Sequence, residues 1–255
     1  MLTMALVAML AGSGDFLSRA KTLEAAGQWE AAHEIYRHAF DTLPAETPHE
    51  DRLRLLTVLA DVSVRSGDFR RALTWIGKAD ADVRTDADRA VLLNARGNIA
   101  LRQGRLGVAE NEFRAALELR PPADTGAAAL INLASVESQT GRVPQARVHA
   151  QEALQLWRRE LGDRHPSVAG AWITLSTMEA LSGDWRAAER SLRAALDVEQ
   201  SPDAMWNLAV VLERLGKGGE AARWRKQVGE QVRPAAPTAD WRSLGHAGPD
   251  RAGIR

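Results

Sequence analysis

The 255 residues carry 33 basic and 33 acidic side chains and no cysteine, so formal net charge is zero. That balance offers no basic excess to hold nucleic acid or an anionic membrane, and without thiols there are no disulfides and no thiolate chemistry. Apolar residues make up 45% and charged residues 26%, a folded composition with length for one elongated domain or two compact ones.

The chain opens on MLTMALVAMLAGSG, with an apolar run from Met4 to Ala11. Ala11 and Ser13 suit a signal-peptide cleavage site, but no basic residue precedes the run. We read residues 1–12 as an apolar segment that packs on the first helix, with an export signal as the alternative. The compartment accordingly reads as cytoplasmic, or as periplasmic if residues 1–13 are a signal. No stretch approaches the roughly 20 apolar residues that span a bilayer.

From residue 13 onward the sequence repeats itself. GQWEAAHEIYRHAF at Gly27–Phe40 returns as GDWRAAERSLRAAL at Gly183–Leu196. A glycine is followed five residues later by alanine six times: Gly27 and Ala32, Gly67 and Ala72, Gly104 and Ala109, Gly141 and Ala146, Gly183 and Ala188, Gly216 and Ala221. Seven residues further on stand Ala39, Ala79, Ala116, Ala153, Ala195 and Val228. Tyr36, Ile76, Phe113, Ala150, Leu192 and Arg225 lie between, so the last copy is degenerate. Before the glycines, apolar and small residues recur at intervals of three, four and seven, as in Leu93, Gly97 and Ala100 or Leu130, Leu133 and Ala134. That period turns one side of a helix inward. Each unit is therefore helix, glycine turn, helix. Small facing residues let the two helices approach closely, and the glycine supplies the positive φ of the turn. The large residue two past the glycine (Trp29, Phe69, Leu106, Trp185) reads as a wedge into the hairpin core. Arg19, Arg96, Glu137 and Glu179 break the pattern, standing where core residues are expected.

The pattern resembles the tetratricopeptide repeat family over about residues 13–230. The resemblance implies an all-α fold, a right-handed α-solenoid of about six helix-turn-helix hairpins in which each hairpin covers the next one's apolar face. Intervals between turn glycines run from 33 to 42 residues. The longest contains LGDRHPSVAGAWITLS, which is similar to the longer repeats of kinesin-light-chain-type proteins. After the repeats, residues 231–255 have prolines and glycines but no helical period and read as a disordered tail. Its Trp241 reads as a free aromatic, with docking into a groove as the alternative.

No catalytic constellation emerges. There is no phosphate-cradling GxxxxGK[ST], no HExxH and no GxSxG. The six histidines read as solvated, and no cofactor or metal is expected. DADVRTDADR, residues 80–89, lacks the glycine bend and closing glutamate of a calcium loop and reads as a linker that caps a helix.

The resemblance implies that the first helices of successive hairpins line a concave groove. Helical period then selects Arg54, Arg65, Asn94, Asn98, Arg102, Asn132, Ser135, Gln139 and Trp206 as candidate contacts with a peptide or protein partner. Asn94, Asn98 and Asn132 cluster mid-chain, and an asparagine both donates and accepts, which suits the backbone of an extended peptide. The bland alternative is that they are solvated or bond a neighbouring helix. No register supplies the lysines and asparagines with which chaperone-binding members of the family clamp a C-terminal carboxylate. The expected function is a non-catalytic protein-interaction adaptor or scaffold. The alternatives are a self-associating structural scaffold and a sensor of a small signalling peptide.

Overall fold

A computed structural model describes residues 16–231. The expected N-terminal segment, residues 1–12, and the expected tail, from residue 232 on, lie outside the described residues. Twelve helices, and no strand, occupy the described residues. In chain order they are α1 (Phe16–Ala25), α2 (Trp29–Asp41), α3 (His49–Arg65), α4 (Phe69–Asp82), α5 (Asp86–Arg102) and α6 (Leu106–Glu118). There follow α7 (Ala123–Gln139), α8 (Val143–Leu161), α9 (Pro166–Leu181), α10 (Trp185–Val198), α11 (Pro202–Arg214) and α12 (Gly218–Gln231). The chain forms two compact units, Met1–Val136 and Glu137–Arg255.

All six predicted turn glycines have positive φ, between 70° and 85°. Each turn closes in the same way. At Gly67 the glycine N–H donates to the Val64 carbonyl at 3.0 Å, and the Asp68 N–H to the Ser63 carbonyl at 2.9 Å. The same pair of bonds recurs at Gly27, Gly104, Gly141, Gly183 and Gly216. This is the Schellman end of a helix, which satisfies two orphan carbonyls and needs a left-handed residue at the glycine. The next helix starts two residues on. Asp68 and Asp184, each just after a turn glycine, accept from the Arg71 and Ala187 N–H groups and cap it.

The alanine five residues after each glycine is fully buried in all six units. Small residues also stand seven before each glycine: Ala20, Ala60, Gly97, Ala134, Ser176 and Ala209. All are buried. In the first unit, one apolar cluster runs through α1–α5 and includes Tyr36, Leu56, Leu59, Trp75 and Ile76. A second joins Phe113 to Ala100, Ala109, Leu133 and Val136. In the second unit, Leu192, Leu196, Met205, Leu208 and Leu212 form the cluster between α10, α11 and α12. Trp29, Phe69, Leu106 and Trp185 are half-buried and pack at the edges of these clusters, as wedges should.

Of residues 80–89, read as a linker that caps a helix, 83–85 connect α4 to α5, and 80–82 and 86–89 belong to those helices. Thr85 and Asp88 form a reciprocal capping box at the start of α5. The long repeat arises because α8 runs on for 19 residues, stops at Gly162 with φ 84°, and yields to α9 at His165–Pro166.

Two expectations need correction. The histidines are not all solvated. His33 is 2% exposed, and its Nε2 accepts from the Trp75 indole N–H at 3.1 Å. His149 Nδ1 meets Glu137 at 2.8 Å, His49 Nε2 meets Asp88 at 3.2 Å, and His165 accepts from the Ser167 N–H. The reason is that a hairpin stack buries polar positions that can find a partner on the facing helix.

The four pattern-breaking charges divide into two classes. Arg19 is exposed, and Arg96 reaches out to Asp80 at 3.2 Å. Glu137 and Glu179 do sit in the core. Each lies four before its turn glycine and meets the residue eight after it, His149 or Ser191. Burial raises the Glu179 carboxyl above the usual range, partly offset by the 2.7 Å bond from Ser191 Oγ.

Burial also lowers the His33 pKa, helped by the nearby Arg71 charge and opposed by Glu34 and Glu30. The unfolded chain therefore binds a proton more readily than the fold does. Stability contributed by neutral His33 is full above the unfolded value near ~6.5 and falls as pH drops below it. Urea titrations should show the wild type losing stability between pH 7.5 and 5.5. His33→Gln, whose amide oxygen can still accept from Trp75, should lose less over that interval. Equal losses would remove His33 from the account.

Candidate functional site

In the first unit, α3, α5 and the start of α7 lie side by side and leave a groove of about 590 Å³. Its walls carry the helix positions thirteen, ten, nine and six before the turn glycine. From α3 these are Arg54, Thr57, Val58 and Asp61; from α5, Val91, Asn94, Ala95 and Asn98. Asp124, Thr125 and Ala128 close one side from α7, and Lys21 and Glu24 of α1, with Tyr36 of α2, close the other. Valine, alanine and isoleucine make the floor, and charged or amide groups make the rim. Such a combination can bury apolar groups and orient them by hydrogen bonds.

The rim is held in place by internal bonds. The Tyr36 hydroxyl donates to Glu24 at 2.6 Å, and burial with that carboxylate beside it raises the tyrosine pKa far above its ordinary value. Beside the groove, Asn132 Nδ2 donates to Asn94 Oδ1 at 3.0 Å, tying α7 to α5. The bland reading of these two asparagines thus accounts for one bond. It occupies the Asn94 carbonyl and one Asn132 amine hydrogen. The two Asn94 N–H donors, the Asn132 carbonyl and the whole Asn98 amide are not used by it.

Of the nine candidates, the structure brings Arg54, Asn94 and Asn98 together on this groove, with Asn132 bonded to Asn94 beside it. The others lie elsewhere. Arg65 does not line the groove. Its guanidinium sits 5.2 Å over the Trp29 ring and its Nε pairs with Asp61 at 2.7 Å. The same contact recurs in the second unit, where Arg214 sits 5.5 Å over Trp185. An arginine two before one turn glycine thus covers the wedge aromatic two after the preceding one. Cation–π stacking at such a half-exposed site contributes about 0.5–1 kcal/mol. Arg102 occupies the equivalent position and is exposed. Ser135 is half-buried, and its hydroxyl donates to the Ile131 carbonyl within its own helix. Gln139 is exposed at the last residue of α7.

Trp206, in the second unit, packs against the apolar cluster there, with Arg225 of α12 5.6 Å over its ring. Glu213, seven residues on along the same face, pairs with Arg225 at 2.7 Å. Trp206 thus turns to its own hairpin partner. The position next to it, Asn207, lines a small cavity with Ser176, Thr177 and Ala180 of α9 and with Trp185 and Leu192 of α10. The cavity there is only about 10 Å³, too small to admit a peptide.

Sequence reasoning missed Tyr36, Thr125 and Ala128 as groove residues. Tyr36 belongs to the second helix of its hairpin and Thr125 to the first turn of α7, whereas Ala128, thirteen before Gly141, shares the register of Arg54 and was within reach of the period. Among the described residues, no group of three or more histidine, aspartate or glutamate side chains could hold a metal ion. No helix among them is long and apolar enough to cross a membrane.

A tetratricopeptide repeat model matches residues 126–201, and a second matches residues 182–227. Curated proteins give no significant sequence match. Solved structures share the fold at low identity. BtubC (BKLC) from P. vanneervenii is 18% identical with a TM-score of 0.61, over 92% of this chain and 96% of that one. Cut9, from an APC/C hetero-tetramer Cut9–Hcn1, or its partner chain there, is 15% identical with a TM-score of 0.63. That match takes in 95% of this chain and 44% of the other. PilF from Pseudomonas aeruginosa is 18% identical with a TM-score of 0.52, over 91% and 96% of the two chains.

Proposed function

We propose, since this chain belongs to the tetratricopeptide repeat family and such repeats serve as protein-interaction scaffolds, that it holds an extended peptide of a protein partner in the first unit's groove. The observation that carries this reading is the lining of that groove. About 590 Å³ lies open between α3, α5 and the start of α7, with an apolar floor and an amide rim. A peptide backbone alternates donors and acceptors. Asn94 and Asn98, one helical turn apart on α5, would bond it at two successive places while Val58, Ala95 and Ile99 receive side chains. The adaptor does no chemistry itself. It presents one protein to another.

Selection of a displayed peptide library on the folded protein tests this. Asn94→Ala/Asn98→Ala should weaken the selected peptides by tenfold or more, since each backbone bond contributes about 0.5–1.5 kcal/mol. Because the Asn98 side chain makes no hydrogen bond among the described residues, Asn98→Ala alone should leave thermal stability nearly unchanged and still lose affinity. Peptides bound equally well by wild type and the double variant would refute the groove.

A further inference from the structure

Apart from the groove, the second unit carries a basic cleft of about 340 Å³. It is lined by Arg186, Glu189, Arg190 and Arg193 of α10 and by Leu215 and Lys217 of the turn between α11 and α12. We propose that this cleft is a second interaction surface, and that it takes an acidic, aspartate- or glutamate-rich segment of a protein partner.

The charges decide it. Glu189 is mostly buried and meets both Arg193, at 2.9 Å, and Lys217, at 2.7 Å. Arg193 also pairs with Glu220 at 2.6 Å. Two carboxylates therefore answer two cations. Arg186 and Arg190 are exposed and make no salt bridge among the described residues. Glu179, the other carboxylate within electrostatic reach of Arg190, is buried and held by Ser191, so it does not occupy that guanidinium. Two guanidinium forks, four residues apart on one helix face, are left to bind carboxylates in pairs.

The fold does not dictate this chemistry. The equivalent six positions between the first two hairpins are Glu30, His33, Glu34, Arg37, Ser66 and Asp68, an acidic set. No other pair of successive hairpins places more than two arginines or lysines there, against four in the cleft. The basic character is specific to this place. Its size fits two or three side chains rather than a nucleic-acid backbone, and the chain's zero net charge supplies no long-range attraction for a polyanion. A short acidic segment gains its binding at close range instead.

The test is fluorescence anisotropy on the full chain, with a labelled eight-residue peptide of aspartate and glutamate and its asparagine/glutamine counterpart as probes. Wild type should bind the acidic peptide at least tenfold more tightly than the amide one, and less tightly as salt rises. Arg186→Glu/Arg190→Glu should abolish the preference, while circular dichroism shows an unchanged helix content. Arg186→Lys/Arg190→Lys should keep the charge but lose the paired geometry, and bind a few-fold more weakly. Equal binding of the two peptides would overturn the proposal. So would an acidic preference that survives charge reversal, or binding to phosphatidylserine vesicles with none to the acidic peptide.

Discussion

Replacing Phe113 by alanine is expected to cost about 3–5 kcal/mol of unfolding free energy. The ring is fully buried where α5, α6 and α7 meet, packed with Ala100, Ala109, Leu133 and Val136. Two of these four neighbours are alanines, which lack the length to refill the void, and the helices on either side end in Schellman turns that hold their backbones in place. In a helical repeat each hairpin is stabilised mainly by its neighbours, so a hole at the third hairpin also loosens the second and the fourth. Urea unfolding should show a lower midpoint. An effect under about 1 kcal/mol would mean that the hairpins collapse around the gap more readily than their backbones allow.

Gly97→Val probes the same contact from the other side. A Cβ at residue 97 would stand only 2.4 to 2.8 Å from three atoms of the Phe113 ring. A ring with no exposed surface has nowhere to swing. Helix propensity favours any ordinary residue over glycine, by up to about 1 kcal/mol for alanine, yet here the overpacking prevails at about 3 kcal/mol. The sign of this effect is the useful part, because a propensity argument alone predicts stabilisation. Phe113→Leu should restore room, so Gly97→Ala/Phe113→Leu should be more stable than the sum of its single changes. A simple sum would show that the two positions do not press on each other.

The hairpins were legible in the sequence because their geometry depends on residues with few substitutes. A left-handed turn favours glycine, and close helix approach favours alanine, so both leave a visible period. Gly97 shows how fully size is encoded: it is smallest where its facing residue, Phe113, is largest. The groove positions on α3 and α5 were legible for a related reason, since they fall on the helix face opposite the alanines. What period could not show was which of those positions find a partner inside the protein. Arg65 was placed with the groove because it lies on the correct side of α3, but a long side chain can fold back, and the Trp29 ring draws it away. Trp206 was placed by the same reasoning and turns to Arg225.

The buried glutamates had a signal that was not used. Glu137 and His149 are twelve residues apart, as are Glu179 and Ser191, and each pair takes the same two positions in its hairpin. A polar residue four before the turn glycine, matched by one eight after it, marks a bond between the hairpin's two helices. No such spacing exists for His33 and Trp75, which meet from different hairpins 42 positions apart. The open volume of the first unit's groove has no sequence period at all. It depends on how far apart the first helices settle.

The central claim is that a partner's chain lies in the first unit's groove, and crosslinking from a single residue tests it most directly. A photo-reactive amino acid would be placed at Thr57, on the groove wall, or at Thr74, exposed on α4 and absent from the groove lining. Irradiation in the source cell should then join a partner protein through position 57 and not through position 74. A partner captured equally from both positions, or from position 74 alone, would contradict the account.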